Sequence, residues 1–330
     1  MKSIGVFVTE YSLLIFLLIC KKWDQVTFIF FEGRIRFEVL QRLKDCGIGG
    51  RVGWRTASYG QQIISQSQIL RRGVYKFLRI LLQLRVFFLI RRFDKKSIRV
   101  YGQDHAPIAS LFRSCNFTVI EDGMANYEDK NSIEKKYKMV CGLLPDERLP
   151  YLPFGWDDSI SCVYLTGRAP LPEGIKKKCK IFDMRMLWNE KTEEEKKQLC
   201  YIFGFNIDYV HTVVRQGRDI FLLTQNLAPT FCTEMQQLSI YRKLLLDYDL
   251  SRVVIKPHPA DRIAYEQHFP ECVVMRGRFP FEFMYFMEIP IQKIIGINST
   301  SLYGLWDSSI IESHEELLDE LMREKERMIL

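Results

Sequence analysis

Short apolar runs alternate with helical stretches along almost the whole chain, and this alternation limits the fold more strongly than any other feature. The run at 253–255 is typical, because its β-branched side chains favour a strand buried on both faces of a parallel sheet. Strands are predicted at 4–8, 26–31, 97–101, 117–120, 161–165, 220–224, 252–255, 272–275 and 293–297. Helices are predicted at 12–22, 35–44, 73–93, 106–115, 192–203, 233–248, 280–287 and from 312 onward. The pattern predicts an α/β fold with parallel sheets.

The chain is long enough for two domains. It has 330 residues, which exceeds the size of a typical single domain. A proline-rich segment at 144–174 separates two regions that each alternate strands and helices. We therefore predict two Rossmann-like domains that face a cleft, an N-terminal domain at 1–150 and a C-terminal domain at 151–330.

The charge and the cysteines restrict the partners and the compartment. The formal net charge of +7 suits an anionic partner such as a nucleotide, a phospholipid surface or a phosphorylated glycolipid. No motif for nucleic-acid binding is visible. The 9 cysteines are dispersed and never form a Cys-x-x-Cys pair, which predicts reduced thiols and neither a zinc site nor a disulfide framework. No apolar segment reaches the roughly 18–20 residues that a bilayer requires, so we expect a cytoplasmic protein.

One predicted helix is both apolar and basic. The segment 71–96 combines leucine and phenylalanine at helical spacing with many Arg and Lys side chains, and Asp94 is its only acid. A basic amphipathic helix of this kind can lie on the surface of an anionic membrane. The alternative is a packed helix whose basic side chains cover the edge of the domain.

Two motifs follow predicted strands directly, at the edge where ligands bind in open α/β sheets. Lys256-Pro257-His258-Pro259 is stiff because the prolines have a fixed φ, and its histidine could protonate a departing phosphate. Glu121-Asp122-Gly123 places adjacent carboxylates in front of a turn, where one of them could be a general base. The alternatives are a structural proline-rich turn and an ordinary Asp-Gly turn.

Two further motifs point to nucleotide binding. Asn298-Ser299-Thr300-Ser301 precedes a predicted apolar helix at 302–306, and hydroxyls with backbone amides at a helix N-terminus form a phosphate site. Phe279-Pro280-Phe281-Glu282 opens another predicted helix, where the carboxylate could accept two ribose hydroxyls. The alternatives are a helix N-cap and an acid that complements the helix dipole.

These four motifs, in their order, together with Leu222-Leu223-Thr224-Gln225 at a strand end, resemble the bacterial sialyltransferases of glycosyltransferase family 52, the lipooligosaccharide sialyltransferase group. The resemblance runs from the first strand to about residue 306. It implies a GT-B fold and an inverting reaction without a metal or another cofactor. The implied donor is CMP-sialic acid, and the implied acceptor is a terminal galactoside of lipooligosaccharide, lipopolysaccharide or a capsule-type glycan. The resemblance also allows a homodimer. The expected location stays the cytoplasm, with or without contact of the segment 71–96 with the inner face of the cytoplasmic membrane.

The resemblance also assigns roles to residues. His258 would contact the phosphate of CMP and assist its departure, Glu282 would hold the ribose, and Asp122 would be the base, with Glu121 beside it. The family usually has a proline and then an acid soon after Thr-Gln, whereas here the first acid after Gln225 is Glu234, which is therefore an alternative base. The other residues expected to bind CMP are Lys256, Ser299, Thr300, Ser301, Thr224 and Gln225.

Two other functions remain open at this stage. The chain could be a GT-B transferase that uses another nucleotide-sugar donor, for example a hexosyltransferase. It could also be a catalytically inactive subunit of a glycan assembly complex, because the acid expected after Thr224-Gln225 is missing.

Overall fold

A computed structural model describes residues 2–30, 35–48, 93–135, 151–228, 232–297, 299–317 and 320, and isolated positions between 80 and 91. The chain divides into two compact units, Met1–Phe203 and Gly204–Leu330. Each unit is built on a parallel sheet, which confirms the predicted α/β class.

The sheet of the first unit has six parallel strands in the order β2-β1-β3-β4-β5-β6. The strands are β1 (Lys2–Phe7), β2 (Val26–Phe30), β3 (Ile98–Gly102), β4 (Asn116–Ile120), β5 (Ile160–Leu165) and β6 (Cys179–Ile181). The helices that the structure describes in full here are α1 (Glu10–Ile19), α2 (Phe37–Asp45), α3 (Met184–Asn189) and α4 (Glu193–Phe203).

The first core explains why these segments fold together. Val6, Val100, Val119 and Val163 come from β1, β3, β4 and β5 and lie in one buried apolar cluster. At the end of β3 the chain passes so close to β1 that a Cβ on Gly102 would lie 1.8 Å from the carbonyl oxygen of Val6. Only glycine fits there, and its φ of 143° is one that other residues rarely adopt. This contact places the residues after β3 beside those after β1.

The boundary predicted between 150 and 151 is wrong. Its proline-rich signal reflects loops around β5, and β5 itself pairs along β4. Residues 160–165 and 179–181 therefore complete the first sheet, and the units divide after α4, between Phe203 and Gly204. The prediction missed β6 and α3, which are too short to show a clear period.

The second unit has a five-stranded parallel sheet in the order β11-β10-β7-β8-β9. The strands are β7 (Ile220–Leu223), β8 (Val253–Lys256), β9 (Val273–Val274), β10 (Lys293–Gly296) and β11 (Ile311–Ser313). The helices that the structure describes in full in this unit are α5 (Ile207–Arg215), α6 (Glu234–Leu244), α7 (Tyr265–His268) and α8 (Glu282–Phe286).

Three predicted helices differ in the structure. The segment predicted at 106–115 is a 3-10 helix, Pro107–Phe112, which begins at a proline. The apolar helix predicted at 302–306 is replaced by a single 3-10 turn, Thr300–Leu302. The tail helix predicted from 312 begins with β11 instead, because Ile311 and Glu312 pair with β10 at the edge of the sheet. Helix α5 was not predicted.

The basic helix is described only in part. Its described positions between 80 and 91 are helical, and Val86 and Ile90 are buried in the core of the first unit. The side chains of Ile80, Phe87 and Phe88 are about half exposed. The rest of the predicted 71–96 segment before 93 lies outside the described residues. Among the helices that are described, none combines the length and the apolar character needed to cross a bilayer.

Candidate functional site

In the first unit, polar residues gather where β1, β3, β4 and β5 end. Parallel strands present their carboxyl ends at one edge of the sheet, so residues distant in sequence meet there. We call this group the acid cluster. It comprises Thr9, Tyr11, Ser12, His105, Glu121, Asp122, Tyr127, Thr166 and Arg168.

Glu121 is the fully buried carboxylate of the cluster. Its carboxylate accepts hydrogen bonds from Tyr11 at 2.8 Å, from Tyr127 at 2.7 Å and from the amide and hydroxyl of Thr166. Arg168, which is equally buried, completes the set through a 2.9 Å ion pair. Burial and the charge of Glu121 raise the pKa of Tyr127, so its phenol stays protonated and donating. These donors occupy its oxygens, so the geometry favours Glu121 as the residue that holds the cluster together.

Asp122 has a different setting. Its side chain is 13% exposed. Its Oδ1 accepts hydrogen bonds from the hydroxyls of Thr9 and Ser12, the second at 3.0 Å. Its Oδ2 lies 3.3 Å from Nε2 of His105. An oriented and partly accessible carboxylate beside an imidazole can accept a proton from a bound hydroxyl.

A second buried carboxylate supports His105. The ring of His105 stacks on Phe154 with a centroid distance of 4.9 Å. Asp104 accepts 2.8 Å hydrogen bonds from the amides of Phe154 and Gly155, which both have positive φ. Burial raises the pKa of Asp104. The residues after β3 therefore hold the ring that faces Asp122.

In the second unit, the segment Lys256-Pro257-His258-Pro259-Ala260-Asp261 begins at the last residue of β8, and we call it the histidine loop. The amide of His258 donates to the hydroxyl of Thr224 at 3.0 Å. Its Nδ1 accepts from the amide of Ala260 at 3.1 Å. Because Nδ1 accepts, the neutral imidazole carries its proton on Nε2. The loop thus fixes both the direction of the ring and its tautomer.

A buried network lies beneath the loop. Asp261 accepts hydrogen bonds from Thr224 at 2.9 Å, from Gln237 at 3.1 Å and from Tyr265 at 2.6 Å. Its own amide donates to the carbonyl of His258 at 2.9 Å. Thr224, predicted to bind CMP, is only 3% exposed, and its hydroxyl connects Asp261 to the backbone of His258. The geometry gives Thr224 a role in holding the loop.

Burial and two neighbouring charges act on the pKa of His258. Burial lowers the pKa of His258 from its ordinary value, and the charge of Lys256 lowers it further, while Asp261 opposes the shift. The Lys256 ammonium is itself buried, donates to the carbonyl of Gly277 at 2.6 Å and lies 4.6 Å from the ring centroid of Phe279. It therefore acts on the loop mainly through its charge. His258 is neutral at pH 7, with an N–H group at Nε2.

The remaining predicted residues have mixed settings. Glu282 is buried at the start of α8 and accepts a long hydrogen bond of 3.3 Å from Ser301, so these two are brought together. Ser299 is buried, and the side chain of Thr300 lies outside the described residues. The backbone of Gln225 is held by Tyr241 and Gln237.

Glu234, the alternative base, has an ordinary structural setting. It is exposed in the first turn of α6, where an acid complements the helix dipole, and Thr233 and Gln236 cap that turn. No hydrogen bond or ion pair described for this chain joins it to the histidine loop. Asp122, by contrast, is oriented by the hydroxyls of Thr9 and Ser12 and faces His105.

Several residues of these two groups were not predicted from the sequence. His105 follows β3 in the run Gln103-Asp104-His105, so the strand-end rule that selected Asp122 could have found it. Arg168 and Asp261 have no such signal, because only the topology brings them to Glu121 and Thr224.

Solved structures share this fold. An alpha/beta-galactoside alpha-2,3-sialyltransferase from Photobacterium phosphoreum matches with a TM-score of 0.59 at 13% identity, over 95% of this chain and 90% of that one. A 2,6-sialyltransferase from Photobacterium sp. JT-ISH-224, solved with CMP and lactose, matches with a TM-score of 0.58 at 12% identity. The match covers 94% of this chain and 71% of that one. A UDP-GlcNAc 2-epimerase from Methanocaldococcus jannaschii matches with a TM-score of 0.53 at 10% identity. The match covers 98% of this chain and 92% of that one. At these identities the likeness shows the GT-B fold.

Sequence comparison defines the family. An uncharacterized protein of Haemophilus influenzae is 32% identical over 231 residues, which are 69% of this chain and 72% of that protein. The sequence model of glycosyltransferase family 52 matches residues 57–313, a span that contains Asp122, the histidine loop and Glu282. The chain belongs to glycosyltransferase family 52.

Proposed function

We propose that this glycosyltransferase is an inverting sialyltransferase, which moves sialic acid from CMP-sialic acid to a hydroxyl of a terminal galactoside on a surface glycan such as lipooligosaccharide. The observation that carries the proposal is the setting of His258, whose loop fixes an Nε2–H donor at the end of β8. The family and the structural likeness to two sialyltransferases support it.

The donor side of the proposed reaction uses the second unit. As the bond between the sialic acid carbon and the phosphate oxygen breaks, negative charge grows on the phosphate of CMP. His258 donates its Nε2–H to that oxygen, and the nearby charge of Lys256 stabilises the anion. Glu282 and the hydroxyls of Ser299 and Ser301 hold the nucleotide. Fixed donors of this kind would carry the reaction without a metal.

The acceptor side uses the first unit. The galactoside hydroxyl forms a bond to the sialic acid carbon on the face opposite the departing phosphate, which inverts that centre. Asp122 takes the proton that the hydroxyl releases, and the hydroxyls of Thr9 and Ser12 keep the carboxylate in place. His105 orients the second oxygen of Asp122. Base catalysis of this kind contributes about 10²–10⁴-fold.

A donor screen tests the proposal. CMP should raise the melting temperature of the purified protein, because a ligand that binds only the folded state stabilises it by about 2.7 kcal/mol at 100 times its Kd. UMP, UDP, GDP and ADP should have little effect, and EDTA should leave the CMP shift unchanged. The measurement is a thermal-shift series with equal concentrations of each nucleotide.

The two alternative functions give other results in the same series. Stabilisation by UDP or GDP in place of CMP would favour a transferase for a nucleotide hexose. No shift with any nucleotide, together with no donor hydrolysis, would favour the inactive subunit.

The exposed side of the basic helix supports a contact with an anionic membrane. Ile80, Leu84, Phe87 and Phe88 lie at helical spacing and are each about half exposed, opposite the core-facing Val86. Replacing both phenylalanines with Ser should weaken binding to vesicles that contain phosphatidylglycerol by about tenfold or more, because two apolar rings no longer enter the bilayer. Co-sedimentation with the vesicles would measure this change in binding.

The matched control replaces two exposed apolar residues elsewhere, Phe37→Ser with Leu246→Ser. Equal loss of vesicle binding in both variants would contradict a specific role of the helix in membrane binding. It would favour the alternative, a helix that only packs on the domain.

A further inference from the structure

A pocket of about 530 Å³ lies on one face of the first sheet, between β3 and β6. The opposite face of these strands packs on the apolar core through Val100, Val119 and Val163. The pocket face carries Tyr101, Thr118 and Cys162, which are direct partners across β3, β4 and β5. The volume is in the range of small-molecule sites.

The pocket is strongly basic. Four of its lining residues are cations, and among the described residues that line it none carries a carboxylate. These cations are Arg99, Lys177, Lys178 and Lys180. No ion pair is described for any of them, and the nearby Lys176, which pairs with Glu173, is not part of the lining. No described ion pair therefore neutralises these four side chains.

Two of the cations contact other residues of the first unit. The ammonium of Lys178 donates to the carbonyl of Asp157 at 2.8 Å and lies 3.3 Å from that of Gly155. Lys180 lies 5.8 Å from the ring centroid of Tyr164, its partner across β5 and β6. Lys177 is exposed at the rim. The arrangement surrounds a space with ammonium groups, an arginine and hydroxyl donors.

Parallel sheets are normally covered on both faces by apolar helices, and their residues are apolar on both sides. A polar face with clustered cations is therefore unlike a packing surface. Lys and Arg with hydroxyl donors are the groups that recognise phosphate oxygens. The acid cluster follows the strand ends, whereas the pocket lies along the strands, and the two share no residue.

We propose that this pocket binds a phosphate monoester, carried by a soluble molecule or by a lipid headgroup. Such binding needs neither a nucleotide-sugar donor nor a galactoside, so it is tested apart from the proposed function.

Two probes distinguish the sources of the phosphate. Glycerol 3-phosphate presents the monoester in solution, and vesicles of phosphatidylcholine with phosphatidic acid present it on a bilayer. We expect the double variant Lys177→Gln/Lys180→Gln to bind the effective probe at least tenfold more weakly than the wild type. Calorimetry measures this for the soluble probe and co-sedimentation for the vesicles. We also expect added salt to weaken the binding of the probe by the wild type. The matched control, Lys197→Gln/Lys243→Gln, removes the same charge from two other exposed positions.

Weaker binding of glycerol 3-phosphate by the pocket variant supports the site and assigns a soluble ligand. Weaker binding of phosphatidic acid vesicles alone also supports the site and assigns a lipid headgroup. Equal binding by the pocket variant and the control with both probes, or no binding of either probe by the wild type, would overturn the proposal. All three proteins should have the same melting temperature, which excludes unfolding as the cause.

Discussion

Asp122→Asn should reduce kcat for sialyl transfer by about 10²–10⁴-fold while the protein stays folded and binds CMP normally. The amide oxygen of Asn can still accept hydrogen bonds from Thr9 and Ser12, so the local structure is kept. It cannot accept the proton that the acceptor hydroxyl must lose. Initial rates with saturating CMP-sialic acid and lactose, together with a CMP titration, would measure the two effects separately.

The control for this prediction is Asp158→Asn, the same chemical change at an exposed position of the same unit, which should keep full activity. The comparison with Glu121→Gln is equally informative. Glu121 is buried in an ion pair with Arg168, so its neutral variant should lose stability. A Glu121→Gln protein that keeps its melting temperature and loses as much turnover as Asp122→Asn would contradict the assignment of Asp122 as the base.

The candidate residues were predictable where local sequence and topology coincide. A strand that ends in a stiff or polar run puts that run at the ligand edge of a parallel sheet, which is why Asp122 and His258 were selected as candidates. Thr224 follows the same rule, yet its hydroxyl donates a buried hydrogen bond to Asp261. Which member of an acidic pair is scaffold and which is accessible depends on distant partners such as Arg168, and spacing does not show this.

The fold was predictable where the apolar period is long. The buried strands and the longer helices α1, α4 and α6 appear close to their predicted positions. Short elements were not: β11 is an edge strand with a charged residue, and the segment after Ser299 is too short for a helix. The boundary was misplaced because prolines mark loops within a sheet as well as linkers between domains.

The hydrogen bonds of the histidine loop lead to the second large effect. A histidine that accepts from the Ala260 amide through Nδ1 loses that bond when it is protonated at both nitrogens. Burial and Lys256 also disfavour the imidazolium, so the free protein holds the neutral ring. A phosphate at Nε2 supplies the negative charge that raises the pKa again. In the proposed reaction, the phosphate of the donor would therefore favour the imidazolium form of His258, which can give a proton.

His258→Asn should lower kcat by about 10²–10⁴-fold and change the Kd for CMP far less. The Asn side-chain oxygen can replace Nδ1 as the acceptor for Ala260, so the loop is kept, but the titratable donor is lost. This variant also assigns the His258 signals in a ¹⁵N NMR titration. We expect an Nε2–H tautomer, a pKa below its ordinary value in the free protein and a higher pKa with CMP bound. An Nδ1–H tautomer, or a pKa that CMP leaves unchanged, would mean that His258 does not face the phosphate, and turnover loss in the variant would then need another cause.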